Sequence, residues 1–194
     1  MDLELKDGLP VLSFETTAAF SEWIEAHISD VGLWLKIAKK GSGRVTISYA
    51  EGLDVALCYG WIDGQKQTYD EQYFLQRFTP RRAKSVWSKI NVAKIAELEK
   101  AGRMKPAGLA AVDAAKADGR WDAAYAGPAT MTMPEDFAAA LEANTKAKAF
   151  WATLNKANTF AFNYRIRGTK NPELRKSKIE KFVAMLSEEI KIHG

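Results

Sequence analysis

Apolar positions along this chain change period part-way, and that change predicts its organisation. Pro10 to Phe14 alternates as a short strand does. Thr16 or Thr17 then caps a helix whose apolar positions Ala19, Phe20, Trp23, Ile24 and His27 recur at spacings of three and four. His27 sits on the edge of that face and reads as a packed, hydrogen-bonded core histidine. Val31 to Ala38 alternates again and is rich in β-formers, so it predicts a second strand. Gly41-Ser42-Gly43 is a turn, since it lacks the Gly-Lys-Ser/Thr ending of a phosphate loop. Ser48 with Glu51 makes a capping box for a helix through Tyr49, Leu53, Ala56, Leu57 and Tyr59, which Gly60 ends. Trp61–Thr68 and Tyr73–Phe78 predict two antiparallel strands around a turn at 69–72.

Beyond Phe78 the strand signals stop. Ser88 opens a helix with Ile90, Val92, Ile95 and Leu98 apolar, ending near Gly102. Pro106 to Ala117 predicts another, with proline at an allowed first-turn position. Thr132-Met133-Pro134-Glu135 reads as a cap with a first-turn proline, and Thr145 as the cap of a helix facing inward with Ala149, Phe150 and Leu154. Asn158 precedes a segment with Phe160, Phe162, Tyr164 and Ile166. Asn171-Pro172-Glu173 starts the last helix, with Leu174, Ile179, Phe182, Val183 and Leu186 as its stripe. The order β-α-β-α-β-β followed only by helices predicts an α+β fold: a small, mostly antiparallel sheet with packed helices and an all-helical C-terminal lobe. The expected division is an α+β domain at 1–122, a linker at 123–131 and a helical lobe at 132–194 packed on the first.

Composition narrows the chemistry. A chain of 194 residues with 47% hydrophobic and 27% charged residues is long enough to fold on its own core. One cysteine, Cys58, excludes an internal disulfide, and with two histidines no metal centre and no cofactor is expected. The acidic N-terminus carries no export signal, and no apolar run reaches the roughly 18 residues of a membrane span, so a cytoplasmic location is expected. The net charge of +4 is uneven. Residues 1–80 carry 7 Lys/Arg against 12 Asp/Glu, and residues 81–194 carry 21 against 12.

Candidate chemistry concentrates between Cys58 and Ser88. Trp61, Asp63, Arg77, Arg81, Arg82, Lys84 and Trp87 fall within some thirty positions. Guanidinium forks bind carboxylates and phosphates bidentately, and flanking indoles offer cation–π contacts, so this set predicts a ligand-binding cleft for an anionic small molecule or acidic peptide. Each member also has a plainer reading: Asp63 as a structural partner of Arg81 or Arg82, the cations as a solvated loop, the indoles as core. Asp63 as a general acid or base is a further alternative, although nearby guanidiniums favour its charged form. Arg77 alternates with Gln76 and Phe78, so its side chain is expected on the opposite face from theirs. A second basic group, Arg165, Arg167, Lys170, Arg175, Lys178 and Lys181, could meet a nucleic acid or present a solvated helix face. Motifs for nucleophilic, metal or nucleotide-dependent catalysis are absent, which leans the reading away from an enzyme.

Gly60-Trp61-Ile62-Asp63-Gly64-Gln65, Gln76-Arg77-Phe78-Thr79-Pro80-Arg81-Arg82 and Trp87-Ser88-Lys89-Ile90-Asn91 resemble segments of the YdeI/OmpD-associated (OmdA-type, bacteriocin-protection) bacterial proteins. The likeness continues through Gly102-Arg103-Met104-Lys105-Pro106-Ala107-Gly108, Gly119-Arg120-Trp121, Phe162-Asn163-Tyr164 and Arg175-Lys176-Ser177-Lys178-Ile179, nearly the whole chain. It implies a binding protein linked to outer-membrane porins, to a protein partner, or to stress and antimicrobial-peptide protection, with no catalytic residues to carry over. That family has been supposed periplasmic, and the N-terminus here departs from it.

Overall fold

A computed structural model describes residues 3–28 and 31–193. The chain divides into two compact units, Met1–Ala124 and Tyr125–Gly194.

The first unit is built on a five-stranded sheet of β1 (Leu5–Lys6), β2 (Leu9–Leu12), β3 (Leu33–Ala38), β4 (Trp61–Thr68) and β5 (Tyr73–Pro80), in the order β1-β2-β3-β5-β4. Helix α1 (Thr17–Ala26) carries the chain from β2 to β3, which therefore pair in parallel; the other neighbours are antiparallel. Helix α2 (Tyr49–Cys58) follows β3, then α3 (Lys89–Lys100) and α4 (Pro106–Ala117) follow β5. The β-α-β-α-β-β order is therefore present, with the two-residue β1 added at the N-terminal end. The first two predicted strands lie slightly differently. Pairing begins at Leu9 and at Leu33, and Val31 is 74% exposed.

The caps explain the helix starts. Thr16 Oγ1 accepts from Ala19 N, Ser48 and Glu51 form a complete capping box, and Ser88 accepts from Asn91 N. The pleat sorts residues onto two faces. Leu33, Leu35, Ile37 and Phe78 meet Phe20, Ile24, Leu53, Ala56, Leu57, Trp61, Trp87 and Ile95 in the main core. Leu9, Val11, Trp34 and Leu75 are buried together on the other face. Ile90 is 52% exposed, so only Ile95 and Leu98 of the predicted α3 stripe are fully buried. His27 is half-buried at the C-cap of α1, stacked 4.2 Å from Trp23, with Nδ1 donating to the Trp23 carbonyl at 2.7 Å.

The second unit is helical: α5 (Glu135–Glu142), α6 (Thr145–Trp151), α7 (Lys156–Arg167) and α8 (Pro172–Ser187). Its core gathers Phe137, Leu141, Ala147, Phe162, Ile166, Ile179, Phe182 and Leu186. Some local expectations are corrected here. Pro134 is itself the N-cap of α5 and Thr132 does not cap it; Thr132 accepts hydrogen bonds from Arg167 instead. Asn144, one residue before Thr145, caps α6, which turns Ala147 inward and leaves Ala149 exposed. Leu174 is 64% exposed because it falls in the first turn of α8, before that helix meets the core. Asn158, 1% exposed, is a staple: its Oδ1 accepts from Ile192 N and His193 N, and its Nδ2 donates to His193 O.

Candidate functional site

The predicted site residues hang on one tight reversal. Helix α2 ends at Tyr59, and Gly60 at φ +75 turns the chain into β4. At the far end of the hairpin, Arg81 N donates to Gly60 O at 3.0 Å, so the chain leaves β5 beside the point where β4 began. Trp61 lies opposite Pro80 in the ladder. Its indole points into the core, 1% exposed and edge-on to Trp23 at 6.2 Å. It packs; it does not face a ligand.

Arg81 and Trp87 come together, and Arg82 and Lys84 lie on the turn between them. The Arg81 guanidinium carbon lies 3.4 Å above the centre of the Trp87 ring, and Nη1 donates to Val86 O at 3.2 Å. Trp87 is itself 1% exposed and meets Trp121 edge-on at 4.9 Å. Between them the chain makes a short turn. Arg82 N donates to Ser85 Oγ and Ser85 N to Arg82 O, both at 2.9 Å, which leaves the Arg82 and Lys84 side chains exposed. A further cation joins from the end of α4. Arg120 Nη1 donates to Ser85 O at 2.9 Å, and its Nε holds the Asp118 carboxylate at 2.7–2.8 Å. That hydrogen bond keeps the Asp118 carboxyl below its usual range. Lys116 Nζ stands 5.3 Å over Trp121. Lys116, Arg120 and Trp121 were not among the expected site residues. The cue available was Gly119-Arg120-Trp121 directly after a helix stop.

Asp63 and Arg77 do not belong to that group. Asp63 pairs with Phe78 across β4 and β5, so it shares the helix-covered face, where Tyr49 Oη donates to its Oδ2 at 2.9 Å. The expected partnership with Arg81 or Arg82 is replaced by this phenol. Arg77 pairs with Trp34 and lies on the opposite face, over Gly64, whose absent Cβ would stand 3.7 Å from Arg77 Cβ. Of the seven residues expected around one hollow, Trp61 and Trp87 are buried in the core, Arg82 and Lys84 are exposed on the turn after β5, and Arg77 lies on the sheet face opposite Asp63. The reason is register: once Asp63 stands opposite Phe78, Arg77 must point the other way.

The basic residues of the second unit are largely engaged within it. Arg175 forks onto Asp136 with Nε and Nη2 at 2.6 and 2.9 Å, and its Nη1 donates to Ile166 O at 2.7 Å. Arg167 binds Thr132, Arg165 donates to Ala161 O, and Lys178 donates to Thr169 Oγ1 at 2.6 Å. Lys170 and Lys181 are exposed. Arg175, Lys178 and Lys181 therefore do not present three uncommitted charges in a row.

Among the described residues, no cluster of His, Cys, Asp and Glu is arranged to hold a metal ion, and no helix is long and apolar enough to cross a membrane. Fold and site together define an α+β chain with a cation-and-indole turn on its first unit and a helical second unit. Residues 12–111, more than half of the chain, match the model of a domain of unknown function (DUF8412), and the chain belongs to that family. Residues 130–189 match the model described as bacteriocin-protection, YdeI or OmpD-associated, so the resemblance to that family holds over the helical unit. The motifs from Gly60 to Gly108 lie in the first match, and Phe162-Asn163-Tyr164 and Arg175 to Ile179 lie in the second. Neither a curated protein nor a solved structure matches the chain.

Proposed function

We propose that this chain is a non-catalytic binding protein whose ligand is an anionic small molecule or acidic peptide, received at the turn that follows β5. The observation carrying this reading is the flat stack of Arg81 on the buried Trp87. It anchors a turn whose exposed side chains are Arg82 and Lys84, with Arg120 bonded to the same turn at Ser85 O. The anchored base presents two exposed cations to solvent, and guanidinium groups match carboxylates. Participation in bacteriocin protection, the role named in the family description for residues 130–189, forms part of this proposal.

Titration with citrate and with hexaglutamate, read by tryptophan emission and melting temperature, tests it. Saturable changes in the parent protein that vanish in an Arg82→Ala/Lys84→Ala variant are expected. Emission and melting temperature unmoved by either anion would remove the basis for the reading.

A further inference from the structure

A second cleft, apart from the turn after β5, lies where β3 ends beside the β4–β5 hairpin. It measures about 520 Å3 and is bounded by Lys39, Lys40, Lys66, Gln67, Thr68 and Phe74. That size falls within the range of small-molecule sites. Three lysines line it, and among the described residues no Asp or Glu does.

Two of the three cations are held in place by the fold. Lys39 Nζ donates to Asp70 O at 2.6 Å, and Lys39 N donates to Gln72 O at 2.7 Å, which ties the end of β3 to the β4–β5 turn. Lys66 Nζ stands 4.2 Å over the Phe74 ring. Phe74 pairs with Ile37 on one side and Thr68 on the other, so Phe74, Thr68 and Lys66 share a face of the sheet. The closest acid in the turn, Asp70, turns its Oδ1 to the amides of Gln72 and Tyr73. Its carboxylate braces the turn, and Asp70 is not among the residues that line the cleft.

We propose that this cleft is a phosphate-binding site, taking a di- or triphosphate group. Lysine ammoniums act as separate point charges, which suits an anion with several oxygens spread over more than one phosphorus better than one planar carboxylate. Lys39, Lys40 and Lys66 each meet a different oxygen, and the Thr68 hydroxyl supplies a further donor. Such an anion also removes the mutual repulsion of the three cations. The chemistry is shared by a free polyphosphate and by the phosphate tail of a nucleotide.

Calorimetric titration at low ionic strength with tripolyphosphate and with adenosine triphosphate tests the assignment. Saturable one-to-one binding is expected. Equal affinity for the two probes assigns the site to the phosphate chain alone, and tighter binding of the nucleotide adds a contact to its nucleoside. A Lys40→Gln/Lys66→Gln variant, altered only at exposed side chains, should bind about tenfold or more weakly with an unchanged circular dichroism spectrum. The titrations are repeated in an Arg82→Ala/Lys84→Ala background, which removes the exposed cations of the turn after β5, and the one-to-one event assigned to this cleft should persist there. Absence of saturable binding overturns the proposal. So does an affinity untouched by the Lys40/Lys66 change, or one lost instead on changing Arg82 and Lys84.

Discussion

Replacing Gly108 by alanine sets two effects of opposite sign against each other. Gly108 is buried on α4, and a Cβ there would lie 2.1 Å from the Cys58 carbonyl oxygen and 2.9 Å from Met104 Cε. The first turn of α4 rests on the last residue of α2 at this point, where Lys105 N donates to the same oxygen at 3.0 Å. Helix propensity alone favours alanine by about 1 kcal/mol. Against it, α4 must withdraw by about 1 Å, with an overpacking strain of about 3 kcal/mol and the Lys105–Cys58 bond, worth about 1 kcal/mol, broken. The net expectation is a loss of about 3 kcal/mol, or roughly 10 °C in the melting of the first unit. Urea unfolding followed by tryptophan emission should show a lower midpoint at unchanged slope. The withdrawal also loosens Trp121 from Trp87, so the emission of the folded state should shift. Gly119→Ala is the comparison. Nothing lies within 4 Å of its Cβ, but φ is +79, so only the left-handed strain of about 1 kcal/mol applies. A midpoint for Gly108→Ala equal to or above that of the parent would refute the reasoning, since propensity would then have outweighed the contact.

Further outcomes follow from single contacts. Arg81→Lys keeps the charge but loses the planar stack on Trp87, and should lower stability by about 1 kcal/mol; an unchanged urea midpoint would count against the stack. Asn158→Ala strands the amides of Ile192 and His193, at a cost of about 2 kcal/mol, and hydrogen exchange should show both losing protection together. The Arg175 hydrogen bond holds the Asp136 carboxyl below its ordinary value. A folded pKa below the unfolded one stabilises the second unit fully above the unfolded value of about 3.9, and that contribution disappears as pH falls through the folded value. Asp136 is 46% exposed, so the effect is screened to about 1 kcal/mol or less. Acid titration of stability should be shallower in Asp136→Asn, and identical titrations would contradict the pairing.

What the sequence disclosed depended on how far each signal reached along the chain. Ser48 with Glu51, Ser88 and Asn171 announce helix starts through contacts three residues away, Pro106 does so through its fixed φ at the first helical position, and each stands where its spacing predicts. The alternation that sets Arg77 opposite to Phe78 was legible too. Its consequence for Asp63 was not, because that required the β4–β5 register, with its irregularity between Asp63 and Lys66. Charge misled for the same reason. Net charge points to the basic stretch beyond residue 80, but Arg165, Arg167 and Arg175 there are bonded to Ala161, Thr132 and Asp136. The lysine-lined cleft lies in the acidic stretch, which holds 12 Asp/Glu against 7 Lys/Arg. A segment's net charge counts every side chain equally, whereas a cleft's potential comes from the few that line it. Folding brings Lys39 and Lys40 to Lys66 through a hairpin whose turn binds its own aspartate, and this separation of cations from acids is invisible before the chain closes.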